Sequence, residues 1–159
     1  MRDKRFVAEH RCGPLKKEQH HQLIRWACDC AKHVLCLYGD SIDGRLTDAL
    51  SVAEEWRQGN ASTGDARKAA LKAHEAAREA SSPTAAAVAR SVAHAAATAH
   101  MADHSIGAAL YALKAAKSAG KPAEEEMRWQ DSQLPPEIKE LVLTARNAEK
   151  FRGAFQRIL

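Results

Sequence analysis

Residues 82–117, SPTAAAVARSVAHAAATAHMADHSIGAALYALKAAK, decide how the rest of the chain is read. Ser82 can accept hydrogen bonds from the first free backbone N–H groups of a helix, and Pro83 falls at the first helical position, where its missing N–H costs nothing. No proline interrupts the stretch from Thr84 to Lys117. Projected at about 100° per residue, Val88, Val92, Ala95, Ala99, Ile106, Leu110 and Leu113 form one stripe, the mark of a helix buried along one side. A second stripe runs beside it: Ala93, Ala96, Ala97, His100, Asp103, His104, Gly107 and Tyr111. Its small side chains let another backbone come close, while three polar groups look into the contact. A single helix of this length would exceed about 50 Å, wider than a domain of this size, so a kink or break near His100 to Asp103 is expected.

Upstream, Ser62 followed by Asp65 reads as a capping box that opens a helix through Ala80, with Ala66, Ala70, Ala73 and Ala77 facing inward and His74 at the margin. Leu46, Ala49, Leu50, Ala53 and Trp56 give a clean amphipathic helix, capped by Asp40 or Asp43 and stopped at Gly59-Asn60. A helix from near Glu18 to Gly39 is apolar over more than half its circumference and belongs at the centre. Residues 1–17, with the Gly13-Pro14 breaker, read as an arm or a short first turn. Downstream, Gly120-Lys121-Pro122 stops the chain. A short helix carrying Met127 and Trp129 comes next, Leu134-Pro135-Pro136 resets it, and Ile138, Leu141, Val142, Ala145, Ala148, Phe151, Phe155 and Ile158 keep helical spacing to the end, with Gly153 as a weak point. The expectation is an all-α fold: one compact domain over 18–159, a bundle of roughly six or seven helices with an alanine-rich core and no sheet.

The chain has 159 residues, a formal net charge of +4 and only 5% aromatic residues. Basic residues spread over every expected helix and leave no stripe to track a phosphate backbone, so nucleic acid is not an expected partner. Nothing reads as a membrane span or a secretory signal, and a cytoplasmic product is expected. Cys12, Cys28, Cys30 and Cys36 read as reduced thiols; a zinc site from His10, Cys12, His33 and Cys36 matches no standard spacing. His20 and His21 read as surface residues at a helix start, and Glu124-Glu125-Glu126 as a solvated face.

The sharpest polar constellation is His100, Asp103 and His104, which i, i+3, i+4 spacing places on one arc of a helix. Met101 comes directly after His100, so the glutamate of an H-E-x-x-H zinc site is missing. Three readings stand: a hydrogen-bonded cluster that fixes how alanine-rich helices dock, a ligand or partner contact that also draws on His74, His94 and Tyr111, and a divalent metal held by His100, Asp103 and His104. Nucleophile motifs and glycine-rich phosphate loops are absent, so neither an enzyme nor a cofactor is expected.

The segments HHQLIRWACDCAKHVL, YGDSIDGRLTDALSVAEEWRQG, ARKAALKAHEAAREA, HAAATAHMADHSIGAALYALKA and RWQDSQLPPEIKELVL, collinear from about Gln19 to Val142, resemble bacterial immunity proteins of the Imm-five-like type. The resemblance implies a protein that protects its producer by binding and blocking a toxin, with no catalysis. The basic balance argues against an acidic face that mimics phosphate, so the toxin surface met is expected to be acidic or neutral. The competing reading is a helical small-molecule or metal-binding protein. A homodimer through the alanine-rich face is a further possibility.

Overall fold

The computed structural model describes residues 2–159, and the described residues form eight α-helices and no strand. These are α1 Lys17–His33, α2 Gly44–Arg57, α3 Thr63–Glu79, α4 Pro83–Ala97, α5 His104–Ser118, α6 Ala123–Ser132, α7 Pro136–Arg146 and α8 Glu149–Ile158. The all-α architecture is as the periodicity predicts, with a helix count just above the expected six or seven. The surplus arises at the C-terminal end. There the chain breaks at Asn147-Ala148, where Ala148 is extended and the Asn147 side chain donates to the Leu143 carbonyl, while Gly153 lies inside α8.

The helices start where their caps say. Asp43, rather than Asp40, caps α2 by accepting from the Arg45 N–H at 2.9 Å. Ser62 and Asp65 exchange both bonds of a capping box at 3.0 Å each, and Ser82 accepts from the Ala85 N–H. The central helix α1 opens with Gln19 accepting from the Lys16 N–H. It ends at His33, short of the expected Gly39, and residues 35–37 continue as a 3-10 turn.

The long stretch at 82–117 is two helices, not one. Contacts pairing Thr84 with Ser118, Ser91 with Ala108 and His94 with His104 show that α4 and α5 run antiparallel. The reversal uses neither proline nor glycine. The Thr98 hydroxyl donates to the His94 carbonyl at 3.0 Å, the Ser105 hydroxyl donates to the Ala102 carbonyl at 2.7 Å, and His20 on α1 donates from Nε2 to the Thr98 carbonyl at 2.6 Å. All seven residues of the first stripe are buried, on both sides of the break. The α4–α5 pair is the centre: α1 packs across both, α2 and α3 cover α4, and α6, α7 and α8 cover α5. Trp26 pins α1 to α6 by donating to the Gln130 carbonyl, and the Gln130 side chain donates to the Ala109 carbonyl of α5.

The N-terminal segment is anchored. Two 3-10 turns, Lys4–Phe6 and Glu9–Arg11, bury Phe6, and a parallel bridge joins Ala8 to Leu15, which is buried as well. Gly13 is required there, since a Cβ would fall 2.0 Å from the Val7 carbonyl oxygen.

Gly107 has the same kind of necessity on α5, where a Cβ would meet the His94 ring at 2.6 Å. Helix propensity alone favours alanine over glycine by about 1 kcal/mol. The steric conflict acts the other way, and overpacking of this kind costs about 1–3 kcal/mol. Gly107→Ala is therefore expected to destabilise the protein, whereas the same change in a His94→Ala background should stabilise it. Urea unfolding of the two pairs checks the sign reversal.

Candidate functional site

At the α4–α5 reversal the fold gathers four imidazoles into a row. His74 of α3 lies edge-on to His94 of α4 with ring centroids 5.4 Å apart, and His94 lies 5.2 Å from His104, the first residue of α5. His104 in turn is 5.2 Å from His100 in the turn. Tyr111 stacks on His94 at 5.2 Å, and the Lys114 ammonium sits 4.6 Å above the Tyr111 ring. His74, His94, His100, His104 and Tyr111 are thus brought together as the sequence suggests.

Asp103 is not part of that network. Its carboxylate is buried, with 3% exposure, and accepts from the Lys150 ammonium of α8 at 2.6 Å instead of from an imidazole. The correction arises from the broken helix. With α5 starting at His104, His100 leaves the arc that an unbroken helix would have given it, and Asp103 turns toward α8. Among the described residues no group of three His, Cys, Asp or Glu side chains is arranged to hold a metal ion. His33 stacks on Trp129, with centroids 3.5 Å apart, and bonds to Glu126 at 2.9 Å, so that pair occupies a stretch that reads in sequence as a solvated acidic face. All four cysteines are free; burial pushes the Cys28 thiol up to about 12 and Cys30 upward as well. His20 corrects the surface reading: it is buried, and His21 lies edge-on to Trp56 beside it.

The imidazoles are neutral, and the hydrogen bonds say which nitrogen carries the proton. Arg90 donates from Nη1 to His74 Nδ1 at 2.5 Å, so the His74 proton is on Nε2. His94 and His104 face one another through Nδ1 atoms at 3.1 Å, which requires one donor and one acceptor and excludes a doubly charged pair. Burial, with Arg90 and Arg78 nearby, lowers the His74 pKa to about 4; burial and the neighbouring imidazoles lower His94 to about 3. Burial lowers His104 against the opposing pull of Asp103, and burial with His104, Arg67 and Arg11 lowers His100.

One feature outside the imidazole row was missed in the sequence. Leu71 is 56% exposed and is the one large apolar side chain of α3. It lies off the inward alanine stripe, on a line with Arg67, His74 and Arg78 at i, i+4, i+7 and i+11. A lone large apolar residue on the wrong face of an alanine helix was a legible signal. Arg67 and Arg78 act on the His100 and His74 ends of the row respectively, so this stripe borders the cluster.

Fold and site define a small helical protein whose polar centre is a row of imidazoles, with His94 bonded to His104 and His74 to Arg90, edged by guanidinium groups. The chain belongs to the Imm-5 like putative immunity protein family, whose model matches residues 13–137. No curated protein and no solved structure matches it. No helix among the described residues is long and apolar enough to cross a membrane.

The lowered imidazoles set a pH dependence. In the unfolded chain they titrate near 6.5, while in the folded protein His74 and His94 take protons only near 4 and 3. Between those values the unfolded state binds more protons, so this stability is complete above the unfolded pKa and is lost as pH falls through it. The lowered carboxylates Asp43 and Asp65 act from their ordinary value of 3.8 downward, beneath this window. Urea unfolding at about pH 7.5 and about pH 5 should show lower stability at the acid value. His74→Gln should shrink the difference; an undiminished drop would contradict the assignment.

Proposed function

We propose that this protein is an immunity protein that silences a bacterial toxin by stoichiometric binding, with the α3 stripe Arg67, Leu71, His74 and Arg78 as the docking face and no chemistry performed on this chain. The observation that supports it is Leu71 itself, an exposed leucine with no burial role in its own helix, in line with Arg67 and Arg78 on a member of an immunity family. Exposed apolar side chains rimmed by polar groups are the usual anchors of protein contacts.

Charge sets the kind of surface that meets it. The nearby imidazoles are neutral and Arg67, Arg78 and Arg90 are cationic, with Glu75 the acidic residue close by on α3. Such a face attracts an acidic or neutral surface and repels a basic one. Blocking a basic nuclease by imitating its phosphate substrate does not suit it. The neutral row behind the stripe serves cohesion: it holds α3, α4 and α5 in register so that Leu71 and the arginines are presented from a rigid helix.

The test uses the cognate toxin, sought among the products of neighbouring genes. Toxin activity should fall linearly to zero at one equivalent of the protein, and the toxin recovered from the complex should have an unchanged intact mass. Leu71→Asp should weaken binding by about tenfold or more while stability changes by no more than about 0.5 kcal/mol, as is usual for an exposed position. Sub-stoichiometric inactivation with a change in toxin mass would replace binding by catalysis. Undiminished binding by both Leu71→Asp and Arg67→Glu would remove α3 as the face, and tight, salt-sensitive binding to a basic nuclease would contradict the charge argument.

A further inference from the structure

His20 makes one of its two possible hydrogen bonds and leaves the other open. The ring sits on α1 with 5% of its surface exposed, and its Nε2–H donates to the Thr98 carbonyl at 2.6 Å. A neutral imidazole that donates through one nitrogen presents a lone pair at the other, so Nδ1 is an acceptor. It has no hydrogen-bond partner among the described residues, and it is not one of the unpaired polar atoms sealed inside the protein, which are Gln22 Oε1, His100 Nδ1, Gln130 Oε1 and Arg146 Nε. Its lone pair therefore meets open space. Burial, with His21 and His10 adding to it against the bond to Thr98, lowers the His20 pKa and keeps that acceptor unprotonated at neutral pH.

That space is a cavity of about 190 Å³ between α1, α2 and the N-terminal turns. His20 also borders a smaller one of about 120 Å³, but this is walled by Ala99, His100 and Ala102 of the reversal, the side on which Nε2 meets Thr98. The two nitrogens of an imidazole point away from each other, so Nδ1 looks into the larger space. Its floor is Ala8, Leu15 and His20, all buried, and its walls are the half-buried rings of Trp56 and His21. Trp56 lies 4.9 Å from His20 and 5.3 Å from His21 between ring centroids, and its indole N–H is taken by Thr63 Oγ1 at 3.1 Å. The exposed Glu9, His10 and Lys17 form the rim, where the Glu9 carboxylate accepts from the Lys17 backbone N–H. The interior offers flat aromatic and aliphatic surface with a buried acceptor at its base.

We propose that this cavity binds a small planar aromatic molecule carrying a ring N–H or O–H donor, of the indole or phenol class, with its donor on His20 Nδ1 and its ring against Trp56. A closed apolar cavity of about 150 Å³ admits benzene, so the larger space here takes a benzene ring with a donor group or a fused second ring. Aromatic walls suit a flat ring, through edge-to-face or offset contacts. The acceptor at the base selects for a donor, because covering it with a ligand that has none forfeits the bond it would otherwise make with water. The same requirement turns away a carboxylate, which at neutral pH has only lone pairs to set against that of Nδ1. The proposal does not rest on the toxin-binding reading: Leu71 does not line this cavity, and either reading can fail without the other.

Titration of the full chain with indole at about pH 7.5, where the imidazole is neutral, reads the site by NMR. The His20 Nδ1 ¹⁵N resonance and the Trp56 indole N–H should move saturably along a common binding curve. Benzofuran has the shape of indole with a ring oxygen in place of the N–H, and it should bind roughly five- to a hundredfold more weakly. Trp56→Leu should weaken indole binding by about tenfold or more. Trp129→Leu, which removes a tryptophan that does not line the cavity, should leave binding unchanged. Stationary His20 resonances, equal binding of benzofuran, or undiminished binding by Trp56→Leu overturns the proposal. Trp56 also packs α2 against α1, so the indole and benzofuran comparison on the unaltered protein stands as a test without any variant. N-acetyltryptophanamide, the same ring on a peptide backbone, should bind more weakly than free indole; tighter binding would give the cavity to a side chain of a partner protein and overturn the assignment of a small molecule.

Discussion

The close approach of α4 and α5 is the contact on which the rest depends. Most inward positions on both helices are alanine, glycine or serine, and the Ser91 hydroxyl reaches across to the Ala108 carbonyl at 2.7 Å. Alanine buries little apolar area, so a pair of helices lined with it gains stability mainly from dispersion between backbones that larger side chains would hold apart. Larger apolar groups lie on one stripe of the pair, Val88, Val92, Ile106, Leu110 and Leu113, and come also from elsewhere: Leu23, Ile24 and Trp26 of α1, Leu46 of α2, and Ile138 and Val142 of α7 fill the space around it. Alanine makes the centre thin, and α1 and the outer helices make it a core. The same thinness brings His94 against Gly107, so the imidazole row is a product of how near the two helices lie.

Closing the pair requires a sharp reversal, and local bonds of Thr98 and Ser105 share the task with partners outside the turn. Residues 98–103 contain neither of the residues that usually break helices. From outside, His20 of α1 bonds to the Thr98 carbonyl and Lys150 of α8 pairs with Asp103. Removing one partner from such a pair leaves a buried charge without compensation, which is far more destabilising than the pair is stabilising. Asp103 thereby ties the turn to the last helix, and the C-terminal tail, which lies beyond the matched family segment, holds the centre of the fold in place.

This dependence on distant partners decides which features could be read from the residues in order. Local rules wrote the helices, the Ser62–Asp65 box, the Ser82–Pro83 start and the alanine faces, and all of these stand in the structure. The buried position of His20, the pairing of Asp103 with a lysine forty-seven residues away and the ring of His33 flat on Trp129 are tertiary events with no local signature. The extra break at Asn147 was hidden for a different reason. Apolar residues on either side of it keep helical phase, so periodicity sees one helix where Ala148 adopts an extended conformation. The imidazole cluster was legible as a set of residues but not as a geometry, because its members lie on three elements whose relation is set by the reversal. Leu71 was legible outright, as the one large apolar side chain off the inward stripe of α3.

The electrostatic character of the candidate surface comes from that packing. A row of imidazoles in contact with Arg90 and within reach of Arg67, Arg78, Arg11 and Lys150 cannot accumulate protons, and burial together with mutual proximity keeps each ring neutral. Positive charge therefore resides only on groups that burial cannot discharge, the guanidinium and ammonium side chains at the rim. They stand at both ends of the row: at one end the α3 stripe faces outward around Leu71, and at the other the exposed Arg2 and Arg11 line a cavity beside His100. A neutral interior with cationic edges is the reverse of an acidic nucleic-acid mimic, and its field favours acidic or neutral groups over basic ones at the α3 edge.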